Sequence, residues 1–219
     1  MKGGNSPMQD EIKSIPKGWK VVPLGFFQRP APIVAAELLT CVLLRKTKTG
    51  WIGGPICETE AYTEDDPASH TFRGKTEKNA SMFGTPGTIY IYRSYGIHWC
   101  MNFSTGTKDR GEGVLIRAVS ATFGIDQMIP GAVKSPTKLC SGPGRLCAAL
   151  KIDKSFDGQI INKGDLALWQ TSVQDDFELA NGERIGISKA LDLHWRFGIA
   201  KHPSLSKPFP VMKKKKVPR

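Results

Sequence analysis

Glu58 and Glu60 stand two residues apart in the run that ends at Tyr62, and Tyr62 follows at the same spacing. Side chains of an extended strand alternate between faces, so these three share one face while Cys57, Thr59 and Ala61 share the other. Two carboxylates on one wall are costly to place unless that wall is wet or functional. Tyr90 and Tyr92 repeat the spacing, as do His98, Cys100 and Asn102. Tyr95 falls in the turn stretch Arg93-Ser94-Tyr95-Gly96, where small polar residues are usual. Arg117 stands inside the apolar run 114–119, on one face with Leu115, and there requires a carboxylate, a phosphate or an exit to water. Aromatic faces, carboxylates and a positive protein together suit chemistry on a flat, anionic substrate.

The elements that must position these groups follow from pattern. Pro30-Ala31-Pro32 opens a helix whose apolar stripe is Ile33, Val34, Leu38 and Leu39. Residues 41–44 and 51–62 form a hairpin around the turn signal Thr47-Lys48-Thr49-Gly50. Residues 63–85 are a long loop, and loops of that length are often functional or mobile. A second hairpin joins 88–92 to 97–103, and 114–119 is a buried strand. Residues 120–138 read as loop and weak helix, 144–150 as a helix, 166–169 as a strand, and 184–187 as a short strand or turn. This order lacks the regular alternation of parallel α/β folds. The expected class is α+β, a single compact domain on a mainly antiparallel sheet with flanking helices.

The 219 residues suffice for one sizeable core without disulfide or metal support. The formal charge is +11, of which Lys213, Lys214, Lys215, Lys216 and Arg219 supply +5, so the body is also basic. Such a balance suits phosphate backbones or an anionic surface. The five cysteines are odd in number and form no C-x-x-C pair, which predicts buried thiols in a reducing compartment and no zinc site. Residues 1–18 lack the apolar segment of a secretory leader, and no apolar run reaches the ~20 residues of a membrane span. The chain is therefore expected to be intracellular, with no membrane partner, no cofactor and no metal.

At Glu58-Thr59-Glu60-Ala61-Tyr62, and more so from Tyr92-Arg93-Ser94-Tyr95-Gly96 through Cys100-Met101-Asn102, the chain resembles the alkyladenine (3-methyladenine) DNA glycosylase family. Val114-Leu115-Ile116-Arg117-Ala118, Leu139-Cys140-Ser141-Gly142-Pro143 with Leu146-Cys147, Lys154-Ser155-Phe156-Asp157 and Arg184-Ile185-Gly186-Ile187 extend the match. It runs from about residue 24 to 207, and the order and spacing of the motifs make it specific. The resemblance implies excision of alkylated or deaminated purines from duplex DNA, and a fold on a curved antiparallel sheet without a helix-hairpin-helix. It implies Glu60 as the catalytic glutamate, Arg117 beside it, and the Ile185 backbone carbonyl as a holder of the attacking water. Tyr62, His70 and Tyr92 would sandwich the flipped base, with Leu115 and Ile97 in the same pocket. Asn102 would disfavour the guanine amino group, and Tyr95 would enter the duplex where the base has left. Ile97 replaces a methionine expected in some relatives, and the stretch from Tyr62 to Asn102 is slightly shorter than in the best-known members.

The chemistry agrees with those roles. A base inside a duplex must be flipped out to be reached, and a wedge in the gap offsets part of the cost. Loss of the base develops oxocarbenium character on the sugar, which an ionised Glu60 stabilises while it takes a proton from water. Arg117 favours that ionised form. No lysine stands out as a Schiff-base nucleophile, so a monofunctional enzyme that leaves an abasic site is expected. Glu58 reads best as a structural ion-pair member. Arg73, Lys75 and Arg145 are candidate phosphate contacts. The domain plan is a lead-in at 1–18, a glycosylase domain at 19–209 and a basic tail at 210–219. The protein is expected to act as a monomer on damaged duplex DNA, in a bacterial cytoplasm or nucleoid rather than a nucleus. Two other classes compete: a non-catalytic nucleic-acid-binding module, and a carbohydrate hydrolase using Glu58 with Glu60. The second is disfavoured because paired glycosidase carboxylates bracket the sugar rather than approach from one strand.

Overall fold

The computed structural model describes residues 15–128, 135–171 and 177–210. The lead-in and the basic tail lie outside these residues, save 15–18 and Pro210. In chain order the strands are β1 (Lys20–Val21), β2 (Cys41–Thr47), β3 (Gly50–Tyr62), β4 (Ile89–Ser94), β5 (His98–Ser104), β6 (Gly113–Val119), β7 (Leu166–Gln170), β8 (Leu179–Gly182) and β9 (Arg196–Ile199). Helices α1 (Ala31–Glu37) and α2 (Pro143–Ala149) pack against them. The described strands form one sheet in the order β1-β7-β2-β3-β6-β5-β4, with β9 also on β3 and β8 on β9, and every pairing is antiparallel. This is the expected α+β class.

β3 is the axis of the molecule because it changes partners along its length. Its first half pairs with β2, from Thr47↔Gly50 to Val42↔Pro55. Its second half lies between β6 and β9, with Glu60 opposite Leu115 on one side and Arg196 on the other. The β3–β6 register shifts on both sides of Glu58, between Ile56 and Glu58 and between Glu58 and Thr59. Such irregularities re-aim side chains and are common beside active sites. Where β2 and β3 pack, Gly53 has φ +138°, and a Cβ there would lie 2.1 Å from the Leu43 carbonyl oxygen.

Helix α1 starts as its prolines require, with Pro32 in the first turn where the amide hydrogen has no intrahelical partner. Its buried stripe is Ala31, Val34 and Ala35, continued by Leu38 and Leu39. Ile33, expected in that stripe, is instead 48% exposed, because it lies off the i, i+3, i+4 row. Thr59 anchors β3 to α1 through its Oγ1, which donates to the Ala35 carbonyl at 2.8 Å. The alternation read from sequence therefore holds at the end of β3: Thr59 and Ala61 turn to the helix and core, and Glu60 and Tyr62 to the opposite side.

The 63–85 loop is tied down by its own polar side chains. Asn79 Nδ2 donates to the His70 and Gly74 carbonyls at 2.9 and 3.0 Å, and its Oδ1 accepts the Thr76 amide at 2.6 Å. Thr71 Oγ1 donates to the Gly111 carbonyl at 2.6 Å. Residues 184–187 form no strand, contrary to one of the two sequence expectations; the chain bends at 185–186. β8 and β9 were not foreseen.

Candidate active site

Glu60 is completely buried at the end of β3. Its Oε2 accepts from Tyr62 Oη at 2.9 Å and from Arg117 Nη1 at 3.1 Å, and its Oε1 accepts the Ile185 amide at 2.7 Å. Arg117, on the neighbouring strand β6, is 6% exposed and also bonds Glu58 Oε1 through Nε at 3.1 Å. Burial opposes the charge of Arg117, and the carboxylates of Glu60 and Glu58 more than restore it, so its pKa rises. A carboxylate with an arginine, a phenol and an amide as donors has both oxygens bonded and is aimed by them.

Above Glu60 lies a cavity of about 700 Å³, within the range of small-molecule sites. Tyr62, Arg117 and Ile185, the residues that hold Glu60, all line it. Glu60 thus lies one hydrogen bond below the cavity surface. His70, Tyr92, Asn102, Leu115 and Tyr95 line it too. The His70 ring meets Tyr92 edge-on at 4.5 Å, and Tyr90 stacks on Tyr92 at 5.6 Å. His70 Nδ1 lies 3.1 Å from Tyr90 Oη, and Asn102 Nδ2 donates to the Tyr90 carbonyl at 3.2 Å.

Burial, with the Glu60 carboxylate next, pushes the Tyr62 phenol well up, and burial does the same to Tyr92. Tyr90 is pushed up to about 12, again first by burial. The aromatic walls therefore stay neutral. Burial lowers the pKa of His70, which keeps its ring neutral near pH 7.

Tyr95 occupies the tip of the β4–β5 hairpin and is 87% exposed. Its φ is +50° and that of Gly96 +69°, the left-handed pair of a tight hairpin turn. A bulky residue in that region is uncommon and marks strain of the kind kept at functional sites. Ile97 is 69% exposed beside it and is not among the cavity-lining residues. It projects at the hairpin tip, because the turn ends before β5 begins at His98. Arg73, Lys75 and Arg145 are exposed. Lys75 Nζ lies 6.0 Å from the Phe83 ring, and Arg145 Nη1 is 3.4 Å from the Ser141 carbonyl. The Ile185 group that meets Glu60 is its amide.

Several supports escaped the sequence reading. Arg184 is buried with its guanidinium over the Tyr62 ring at 4.6 Å and the Trp195 ring at 5.6 Å. It donates to the Ala61 carbonyl at 2.9 Å and pairs with buried Asp66. One arginine thereby fixes the back of Tyr62, the start of the loop that carries His70, and the segment whose next residue reaches Glu60. Tyr90, which shares a strand face with Tyr92, was detectable from that spacing. Lys189 and Lys207 at the cavity edge had no such signal.

A family model described as methylpurine-DNA glycosylase matches residues 25–203. A Nitrosospira multiformis protein named "Putative 3-methyladenine DNA glycosylase" is 49% identical over 177 residues, covering 80% of this chain and 89% of its own. Proteins of the same name from Agrobacterium fabrum and Granulibacter bethesdensis are 44% and 45% identical, over 86% and 87% of this chain and 93% and 89% of theirs.

Proposed function

The chain belongs to the methylpurine-DNA glycosylase family, and from that premise we propose how its own residues perform the excision. It is a DNA glycosylase of base-excision repair, acting on alkylated purines. The damaged purine leaves the stack and enters the cavity of about 700 Å³. Tyr62, Tyr92 and His70 supply its aromatic surroundings, and base–aromatic stacking is worth about 1–3 kcal/mol per base. An electron-poor, cationic base gains most from neutral phenol rings. Asn102 and Leu115 shape the far side and reject bulk at the purine edge. Tyr95 fills the gap in the duplex.

Glu60 takes a proton from the attacking water and stabilises the developing sugar cation, and Arg117 pairs with its carboxylate. Water attacks without a lysine adduct, so the product is an abasic site. Deaminated purines such as hypoxanthine are substrates as well. The basic body, with Arg73, Lys75 and Arg145, holds phosphates and makes binding weaken with salt. The enzyme works as a monomer, inside the cell and with DNA, through a domain spanning 19–209.

The observation that carries this reading is the junction of Glu60 with Tyr62, Arg117 and Ile185 directly under an aromatic cavity. The test is incubation with duplexes holding N3-methyladenine, ethenoadenine or hypoxanthine, followed by cleavage at abasic sites. Strand breaks at the lesion are expected, and borohydride should trap no covalent complex. Absence of product from every lesion overturns the reading, and a trapped complex overturns the monofunctional mechanism.

A further inference from the structure

Glu58 is completely buried, lies outside the cavity lining and takes no part in the mechanism above. Nevertheless it is densely bonded. Its Oε1 accepts from Arg117 Nε at 3.1 Å, from Arg196 Nε at 2.8 Å and from Ser206 Oγ at 2.7 Å, and its Oε2 accepts the Ser206 amide at 2.5 Å. Arg196 is 4% exposed. It stands opposite Glu60 in the β3–β9 register but reaches diagonally to Glu58. Its remaining donor face goes to the Lys207 carbonyl, and its guanidinium lies 4.0 Å from the centre of the Phe209 ring. Ser141 Oγ donates to the Leu205 carbonyl at 2.8 Å, so the segment following His202 is strapped across the same cluster.

Two carboxylates, Glu58 and Glu60, thus face two guanidiniums, Arg117 and Arg196, in a buried site. Arg117 is shared: Nη1 serves Glu60 and Nε serves Glu58. We propose that Arg196 and Glu58 are positioning residues for Arg117, with Arg196 neutralising Glu58 so that the charge of Arg117 remains committed to Glu60. Without Arg196 an uncompensated buried carboxylate competes with Glu60 for one guanidinium, and buried unpaired charge is strongly unfavourable. Glu58 in turn fixes the Nε edge of Arg117, which sets the direction of Nη1. The inference rests on the proposed role of Glu60.

Charge balance separates this from a packing role. Arg196→Met removes the counterion, whereas Glu58→Gln with Arg196→Met removes the counterion and the surplus charge together. Single-turnover excision of hypoxanthine is expected to fall by about 10- to 100-fold in R196M, with lesion-duplex affinity changed by less than about threefold. The double variant is expected to regain at least about tenfold of that loss although it has lost more contacts. Arg196→Lys, which keeps the charge, is expected within about threefold of the parent rate. A double variant as slow as R196M or slower overturns the proposal, as does a charge-retaining R196K as slow as R196M. If R196M does not fold, the parent, R196K and double-variant rates decide it, with a loss of about 10-fold or more in both variants overturning it. Failure of the parent itself to excise would instead count against the proposed activity on hypoxanthine, and leave this proposal to be measured on a lesion the parent does excise.

Discussion

Beneath the floor of the cavity Glu60 is completely buried and bonded to the lining residues Tyr62, Arg117 and Ile185, while at the rim Tyr95 is 87% exposed on a turn with positive φ. The floor is assembled from β3, β6 and the segment after β8, and its polar groups satisfy one another. The rim is assembled from one hairpin tip, where Tyr95 and Ile97 expose apolar surface to water. Chemistry needs fixed groups in a dry setting, because electrostatic stabilisation is strongest where nothing must reorganise. The wedge role proposed for Tyr95 needs the reverse: an apolar surface whose burial is deferred until the duplex arrives. Floor variants should therefore change the rate with little effect on affinity, and rim variants the affinity with little effect on fold.

The sharpest way to break this division is Arg117→Met. Loss of the cation beside Glu60 is expected to slow single-turnover excision by about 10²–10³-fold, with lesion-duplex affinity nearly unchanged. It should also lower stability, since it leaves the buried Glu60 carboxylate without a counterion while Glu58 keeps Arg196, by about 3–5 kcal/mol in urea titration. Tyr95→Ala is the matching rim variant. Binding to lesion duplex should weaken by about 1–3 kcal/mol, while the thermal midpoint should match that of the parent. A large stability loss in Tyr95→Ala would show that the tip packs on the body and is no wedge.

A smaller effect sharpens the boundary between the two. His70 belongs to the wall, and burial lowers its pKa. Its imidazole should titrate below the ordinary value near 6.5 when followed by NMR. A depressed histidine pKa means that the unfolded chain binds the proton more readily. Its stability contribution is therefore present above about pH 6.5 and declines as pH falls through that value. A midpoint at or above 6.5 would mean that water reaches the ring freely.

The sequence made the floor more legible than its supports. Strand alternation alone put Glu58, Glu60 and Tyr62 on one face, and an arginine inside an apolar strand called for a carboxylate, a phosphate or an exit to water, of which Arg117 finds the first. Tyr95 was conspicuous because a large aromatic is out of place in a turn. Arg196 and Ser206 left no trace, since β9 has four residues, too few to display a period, and Ser206 acts from a segment with no regular structure. Asp66 and Arg184 meet across 118 residues, a distance that pattern cannot bridge. Ile97, assigned to the pocket by resemblance, is 69% exposed at the hairpin tip and is not among the cavity-lining residues. The 63–85 loop was readable as unusual, but Thr71 ties it to the Gly111 carbonyl, 40 residues on, a partner that only the fold brings near.

The central claim is that Glu60, at the buried end of β3, performs the chemistry. Glu60→Gln keeps the shape and removes the charge, so it tests the claim with the least disturbance. Under single-turnover conditions on a hypoxanthine duplex, excision is expected to fall by about 10²–10⁴-fold, with lesion-duplex affinity within about threefold of the parent. Excision at the parent rate in a folded Glu60→Gln protein would contradict the account.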